Sequence, residues 1–504
     1  MDEYNGLMVF YGDLHNHCAI SYGHGPLEAA LGNAQTQLDF CSVTGHAAWP
    51  DMPEPDNRID YIIDFHQKGF AKLARTWESV LQTMIAYNRP NEFLVFPSYE
   101  VHSNRDGDHT FIFQEIAGDL ILGKDIPDTI TKLRQKYGED VLGFPHHIGY
   151  PQGHRGINWS TYDQDFCPLV EIFSMHGSSE GSETNWPFLH SMGPFDGRST
   201  MQHGLELGYR FGLLANTDHH SAFPGSYGRG RTAIWASELS RTALWEGLLS
   251  KRTVALTGDR IELRFSINGA LMGEEASAAH NREVKIDLSA GNSVNHVDLI
   301  KNNQLHKRFV PEDNLFQPSL MTSCATKLFL EVGWGEKHKV AEWNVELAIE
   351  GGYIFGVEPR FRGMEVVSPV ELGENRLPYR NGDWGQFDEQ SVWFAAFSQG
   401  NPTNTTSTTQ GICLDVVFEP GATIHANING LSLRLPVDRL VEGQYARPLG
   451  NIDSPAYCFH RLPQEREFQW TLHMTDEQTT DHDVYYVRVV QDNGQMAWSS
   501  PIYF

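Results

Sequence analysis

A chain of 504 residues, 40% hydrophobic and 20% charged, has the composition of a soluble globular protein and exceeds what one hydrophobic core usually serves, so two or more domains are expected. No apolar run is long enough to span a bilayer, and the opening MDEYNGLMVFYGDLH lacks the basic-then-apolar pattern of a secretory signal, so a cytoplasmic protein without membrane contact is expected. A formal net charge of −26 disfavours nucleic acid as a partner, since affinity for it depends on neutralising phosphates with Lys and Arg, and the six scattered cysteines read as reduced thiols.

Residues 1 to about 260 alternate short apolar runs with helical patterns, the signature of βα units around a parallel sheet. Seven runs read as strands, at 7–15, 38–46, 93–100, 110–115, 141–147, 169–176 and 211–220. Between them PLEAALGNAQTQ, DYIIDFHQKGFAKLARTWESVLQTMIAY and PDTITKLRQKYGED read as helices, the last begun by Pro127 and Asp128. After Arg260 the pattern changes to alternating strands and turns (ELRFSING, REVKIDLSAG, HVDLIKNNQ, TKLFLEVGWG), closing on DVYYVRVVQDNGQMAWSSPIYF with Asp492-Asn493-Gly494 as a turn. The expected organisation is an α/β domain over 1–262 and a β-sandwich-like region over 263–504, in one or two lobes, with the stretch 399–411 as a polar surface loop.

All seven runs end in His or Glu. In a closed parallel barrel the C-terminal ends of the strands meet on one face, so residues far apart in sequence converge there. Asp13-Leu14-His15-Asn16-His17 sets two imidazoles two positions apart in extended chain, where both point the same way and can share a cation. Asp218 and His220 repeat that spacing with a mixed donor pair suited to Zn, Mn or Fe. His46, Glu100, His146, His147 and His176 follow the intervening runs. Each alone reads equally well as a hydrogen-bonded core group, but a shared cluster accounts for all of them.

Taken in order, GDLHNH, VTGH, PSYE, FPHH, SMHG and NTDHH resemble the PHP (polymerase and histidinol phosphatase) family of metallohydrolases over residues 8 to about 260, and with the β-region the chain looks like a poorly characterised branch of it. The resemblance implies a distorted (βα)7 barrel and two or three divalent metal ions. By the same resemblance His15, His17, Glu100 and Asp218 bind the first, Glu100 bridges to a second held also by His146 and His176, and His24, His46 and His220 match a third. His146 is preferred to His147 because it follows the strand directly. One departure is Gly45, where the family has an acid that would orient a ligand.

The expected activity is a metal-dependent hydrolase, a phosphoesterase using a metal-bridging hydroxide on a small anionic ester. Glu100 and Asp218 are its catalytic carboxylates, with Asp218 accepting the proton and His219, or a histidine near His154, protonating the departing oxygen. Arg155, Arg229 and Arg231 read either as substrate-binding guanidinia or as solvated loop charges. Trp49, Tyr150, Trp159 and Trp186 read either as a pocket lining or as packing. Alternatives are hydrolysis of a non-phosphorus ester or amide, a serine hydrolase in which Gly177-Ser178-Ser179-Glu180-Gly181 supplies Ser179 beside Asp218 and His220, and a non-catalytic metal-binding module. The β-region is expected to cover the site's mouth or to form a contact in a homo-oligomer.

Overall fold

The computed structural model describes residues 3–184, 186–189, 192–311, 322–337, 339–364, 382–400 and 407–504; of the 399–411 loop expectation, 401–406 lie outside them, while Gln399 ends one strand and Gln410 begins another. In chain order the first half comprises β1 (Met8–Asp13), α1 (Leu27–Gln37), β2 (Phe40–Cys41), β3 (Thr44–Ala48), α2 (Asp60–Tyr87), β4 (Leu94–Val95), β5 (Ser98–Val101), β6 (His109–Phe113), α3 (Ile126–Tyr137), β7 (Val141–Pro145), β8 (Leu169–Ser174), β9 (Gly177–Ser178), α4 (Met201–Glu206), β10 (Gly212–Ala215), β11 (Arg231–Ala236), α5 (Arg241–Leu249) and β12 (Thr253–Leu256). Every apolar run expected to be a strand contains one.

Local chemistry explains the helices. In α2 the buried residues Ile63, His66, Gly69, Leu73, Trp77, Val80 and Met84 recur every three or four positions, one continuous stripe facing the strands. Asp125 caps α3 by accepting from the Asp128 N–H at 2.8 Å, Pro127 sits in its first turn, and Gly138 ends it at a φ of +59°.

Among the described residues no closed (βα)7 barrel is formed. β1 pairs in parallel with β2, and β2 with β4; β3 and β5 continue the last two runs as a second parallel pair; β8 and β10 form a third sheet with β9. β6 runs antiparallel to both β5 and β7. The cause is the short connection 102–108, since a parallel crossover takes a dozen or more residues. The result is a mixed α/β, sheet-rich architecture of separate sheets, whose strand ends still face a common region.

The β-rich half is woven into the first. Strands Val294–Lys301, Gln304–Phe309, Val484–Gln491, Met496–Ser499 and Ile502–Tyr503 join β1, β2, β4, β11 and β12 in one ten-stranded sheet, with Val254 opposite Ser499, so this sheet crosses the boundary expected near residue 262. Gly494, at a φ of +82°, makes the turn before the Met496 strand. Glu262–Ile267, Asn281–Ser289 and Gln469–Glu477 form a second layer, and Phe265, Ile286 and Leu288 share a core with Val297, Leu299 and Val489. A separate eight-stranded sheet, including Val340–Pro359 and Gln410–Ile428, encloses Trp343, Phe394 and Phe418. Among the described residues no helix is long and apolar enough to cross a membrane.

Polar groups are paired where the halves meet. Buried Glu180 accepts from Tyr486 Oη (2.8 Å), Arg488 (2.9 Å) and Trp498 Nε1 (2.9 Å). Glu358 accepts from Arg231 (3.1 Å), the Arg260 N–H (2.8 Å) and Arg360 (2.9 Å). The loop after β10 is pinned by Tyr227 N–H to Phe361 O (2.9 Å) and Gly363 N–H to Ser226 Oγ (3.0 Å).

Candidate metal centre

The segments after β1 and β10, together with β5, bring four donor atoms to one point. His15 Nε2 lies 3.2 Å from Glu100 Oε2, 3.5 Å from Asp218 Oδ1 and 3.2 Å from His17 Nε2, while His17 Nε2 lies 3.0 Å from Asp218 Oδ1 and 3.4 Å from Glu100 Oε2. A tetrahedron of ligands at about 2.0–2.1 Å from a zinc-sized ion has edges of roughly 3.3–3.4 Å. Five of the six separations among these atoms are near that edge length, and His15, His17 and Asp218 form one group of mutually close buried donors with the chemistry a divalent ion requires. Without a cation, two imidazole nitrogens and two carboxylates would crowd one buried point.

Each ligand is held from behind. His15 Nδ1 donates to Glu171 Oε2 at 3.0 Å, and Asn216 Nδ2 donates to the same oxygen at 2.9 Å. His17 Nδ1 donates to Thr44 O at 2.8 Å, which leaves Nε2 bare for an ion. Asp13 ties the two ligand loops together, accepting from Thr217 Oγ1 (2.6 Å) and the Gly225 N–H (2.8 Å). Such partners fix ring orientation and tautomer. Asp218 sits at a φ of +54°, a left-handed conformation that non-glycine residues hold only where surrounding contacts enforce it.

The charges suit cation capture. Burial opposes ionisation of Glu100, but His146 and His102 beside it hold its carboxyl well below the usual range. Burial likewise opposes the Asp218 charge, and His15, with hydrogen bonds from His17 and His176, outweighs it. Burial first, then the neighbouring His17 and His15, keep His46 and His146 neutral, the state in which imidazole ligates. His15 shifts the other way because Asp218 and Glu171 overcome its burial.

Further donors surround this point. His146 Nε2 is 3.2 Å from Glu100 Oε1, His176 Nε2 3.0 Å from Asp218 Oδ2, and His46 Nε2 3.8 Å from Glu100 Oε2. His17, His46 and His220 form one group of mutually close donors, and His46, Glu100 and His102 another. His24 is buried and its N–H donates to His220 O at 2.8 Å, but its ring is in none of these groups among the described residues. Gly45 has a packing cause: a Cβ there would lie 2.6 Å from Leu73 Cδ1 of α2. Ser21 Oγ lies 3.0 Å from His46 Nδ1 and fixes the orientation of that ring.

Several expected roles are corrected. His219 faces the seam with the β-rich half, its Cε1 2.5 Å from where a Cβ on Gly363 would lie, so it does not present its ring to the cluster. His154 is exposed. Arg231 is buried against Glu358, and Arg229 is half-buried with its N–H on Ser226 O. Arg155 is nearer: its Nε donates to Asp108 Oδ2 at 2.7 Å, its guanidinium lies 5.3 Å from the Trp49 ring, and NH2 comes within 3.9 Å of Glu100 Oε1. Ser179 Oγ accepts from the Gly149 N–H at 3.2 Å, and Glu180 of the same G-x-S-x-G segment is committed to the seam. Trp159 stacks on Tyr209 and Phe211, and Trp186 packs on Phe173, whereas Tyr150 Oη reaches His176 Nδ1 at 2.7 Å.

Sequence reasoning missed Glu171, His102, Asp108 and Tyr22. His102 Nδ1 is 2.9 Å from Glu100 Oε1 and donates to Asp108 Oδ2 at 2.8 Å, and its Nε2 is 2.8 Å from Tyr22 Oη. The signal for His102 was present: Glu100-Val101-His102 has the same two-residue spacing as His15 and His17.

No family model matches the chain. An uncharacterized protein of Chlamydia pneumoniae is 25% identical over 260 residues, covering 47% of this chain and 41% of its own length. One of Chlamydia trachomatis is 28% identical over 265 residues, 48% and 42% respectively. The matched region is thus less than half the length of these relatives. Among solved structures, a two-domain protein from Bacteroides vulgatus, described as containing a predicted PHP-like metal-dependent phosphoesterase, aligns over 86% of this chain and 95% of its own with 12% identity and a TM-score of 0.33.

Proposed function

We propose that the chain is a metal-dependent hydrolase of small anionic esters, most specifically a phosphoesterase, holding two or three divalent ions on a frame related to the distorted (βα)7 barrel. The carrying observation is the buried group of mutually close donors His15, His17 and Asp218, with Glu100 Oε2 3.2 Å from His15 Nε2 and 3.4 Å from His17 Nε2. Divalent ions held there supply Lewis acidity and bring the ionisation of water to near neutral pH. The chain's own groups do the rest. Glu100 and Asp218 are carboxylates kept anionic inside the protein, and each touches donors on two sides, so each suits a shared ligand position. Solvent reaches the cluster at His220, whose side chain is 24% exposed, and at Arg155, at 16%, which favours a small substrate over a polymer. Arg155, steadied by Asp108 and Trp49, offers a fixed guanidinium to an anionic group.

The test is elemental analysis of purified protein together with turnover of nitrophenyl phosphate monoesters, diesters and carboxylic esters before and after chelation. Phosphoester turnover lost with chelator, restored by Mn²⁺ and absent in His15→Ala is the expected result. Turnover of carboxylic esters alone would overturn the phosphorus assignment, and unchanged turnover in metal-free protein would overturn the metal reading.

A further inference from the structure

Two consecutive histidines follow β7, and their side chains are engaged differently. His146 lies 3.2 Å from Glu100 Oε1 through Nε2 and 3.3 Å from Thr110 Oγ1 through Nδ1. His147, 4% exposed, stands at a φ of +33°, outside the usual range of L residues. Its Nε2 edge lies 3.3 Å from Asp108 Oδ2, while its Nδ1 is buried with no hydrogen-bond partner among the described residues. A buried nitrogen without a partner is unusual in a folded protein and calls for an explanation such as an ion.

His147, His176 and Asp218 each bring a ligand atom within 4.8 Å of the other two, and the rings of His147 and His176 are 4.9 Å apart at 62°. His176 has one nitrogen at Tyr150 Oη, 2.7 Å away, and the other 3.0 Å from Asp218 Oδ2. Asp218 Oδ1 faces His17 instead. Resting on the metal-dependent reading above, we propose that His147, through Nδ1, forms a divalent-cation site with His176 Nε2 and Asp218 Oδ2. Asp108 orients His147 from the opposite edge, as carboxylates commonly orient ligating imidazoles. Asp218 then belongs to two sites, one oxygen serving His15 and His17 and the other serving the histidine pair. This assigns the second histidine of FPHH a ligand role of its own beside His146.

The experiment is Mn²⁺ titration of metal-free full-length protein, read as stoichiometry after gel filtration and as affinity by calorimetry, with circular dichroism as the check on folding. His147→Ala is expected to bind one Mn²⁺ fewer than wild type, and His147→Gln the same; Gln, which keeps a polar group toward Asp108, is read if alanine fails to fold. Asp108→Asn is expected to weaken one ion by about 10–100-fold without removing it. A folded His147 variant with wild-type stoichiometry and affinity overturns the proposal while leaving the metal reading intact. A wild type that takes up no Mn²⁺ overturns both.

Discussion

His15 sits between an ion-facing nitrogen and a carboxylate, with Glu171 at one edge of the ring and Glu100 with Asp218 at the other. Glu171→Leu would leave His15 Nδ1 and Asn216 Nδ2 without an acceptor. Mn²⁺ affinity is expected to fall by about 10–100-fold, and denaturant unfolding to register a loss of about 1–3 kcal/mol from the abandoned polar groups; unchanged affinity would detach Glu171 from the site. At this scale the sequence was informative about groups at strand ends with a two-residue rhythm, such as His15, His17 and Asp218. It was silent on Glu171, which lies inside β8 and reads as an interior polar residue until the fold puts it behind His15. His219 misled because its neighbours Asp218 and His220 face the cluster; the left-handed backbone at Asp218 turns the chain there, and His219 lies against Gly363 instead.

The element scale is governed by close approach. α2 lies against β3 at Gly45, where Leu73 occupies the space of a side chain. Gly45→Ala is expected to cost about 1–3 kcal/mol through overpacking, and Leu73→Ala in the same chain to recover part of it. A urea-unfolding double-mutant cycle checks this, and strict additivity would rule out the contact as the cause. The seven strands were legible because each is a compact apolar run bounded by turn residues. Their closure was not, because apolar periodicity carries no strand direction; only the brevity of the 102–108 connection hints that β6 reverses.

For the whole molecule, the seam is built from charges that a linear reading scatters. Arg231, Arg260, Glu358 and Arg360 carry no local pattern, and for Arg231 the sequence offered either a substrate-binding guanidinium or a solvated loop charge. Burial opposes the Glu358 charge, but Arg360 and Arg231 pull its carboxyl down to about 2. A carboxyl depressed on folding contributes stability above its unfolded value near 4.5, and that contribution fades as pH falls from there toward 2. Glu358→Gln is therefore expected to melt below wild type at pH 7, with the gap narrowing steadily between pH 4.5 and 2.5 in thermal scans. A constant gap across that window would show that the carboxylate's charge is not what holds the seam.

The pairing of Val254 with Ser499 has a consequence for how the protein is made. During translation β12 leaves the ribosome long before the strand that covers its edge, and the β8–β10 surface waits equally long for Trp498 and Tyr503. Contacts this remote in sequence form slowly and leave sticky edges open meanwhile. The half that carries the histidine and carboxylate cluster is thus an unfinished object until synthesis has passed residue 503, and a nascent chain halted midway would be a client for chaperones.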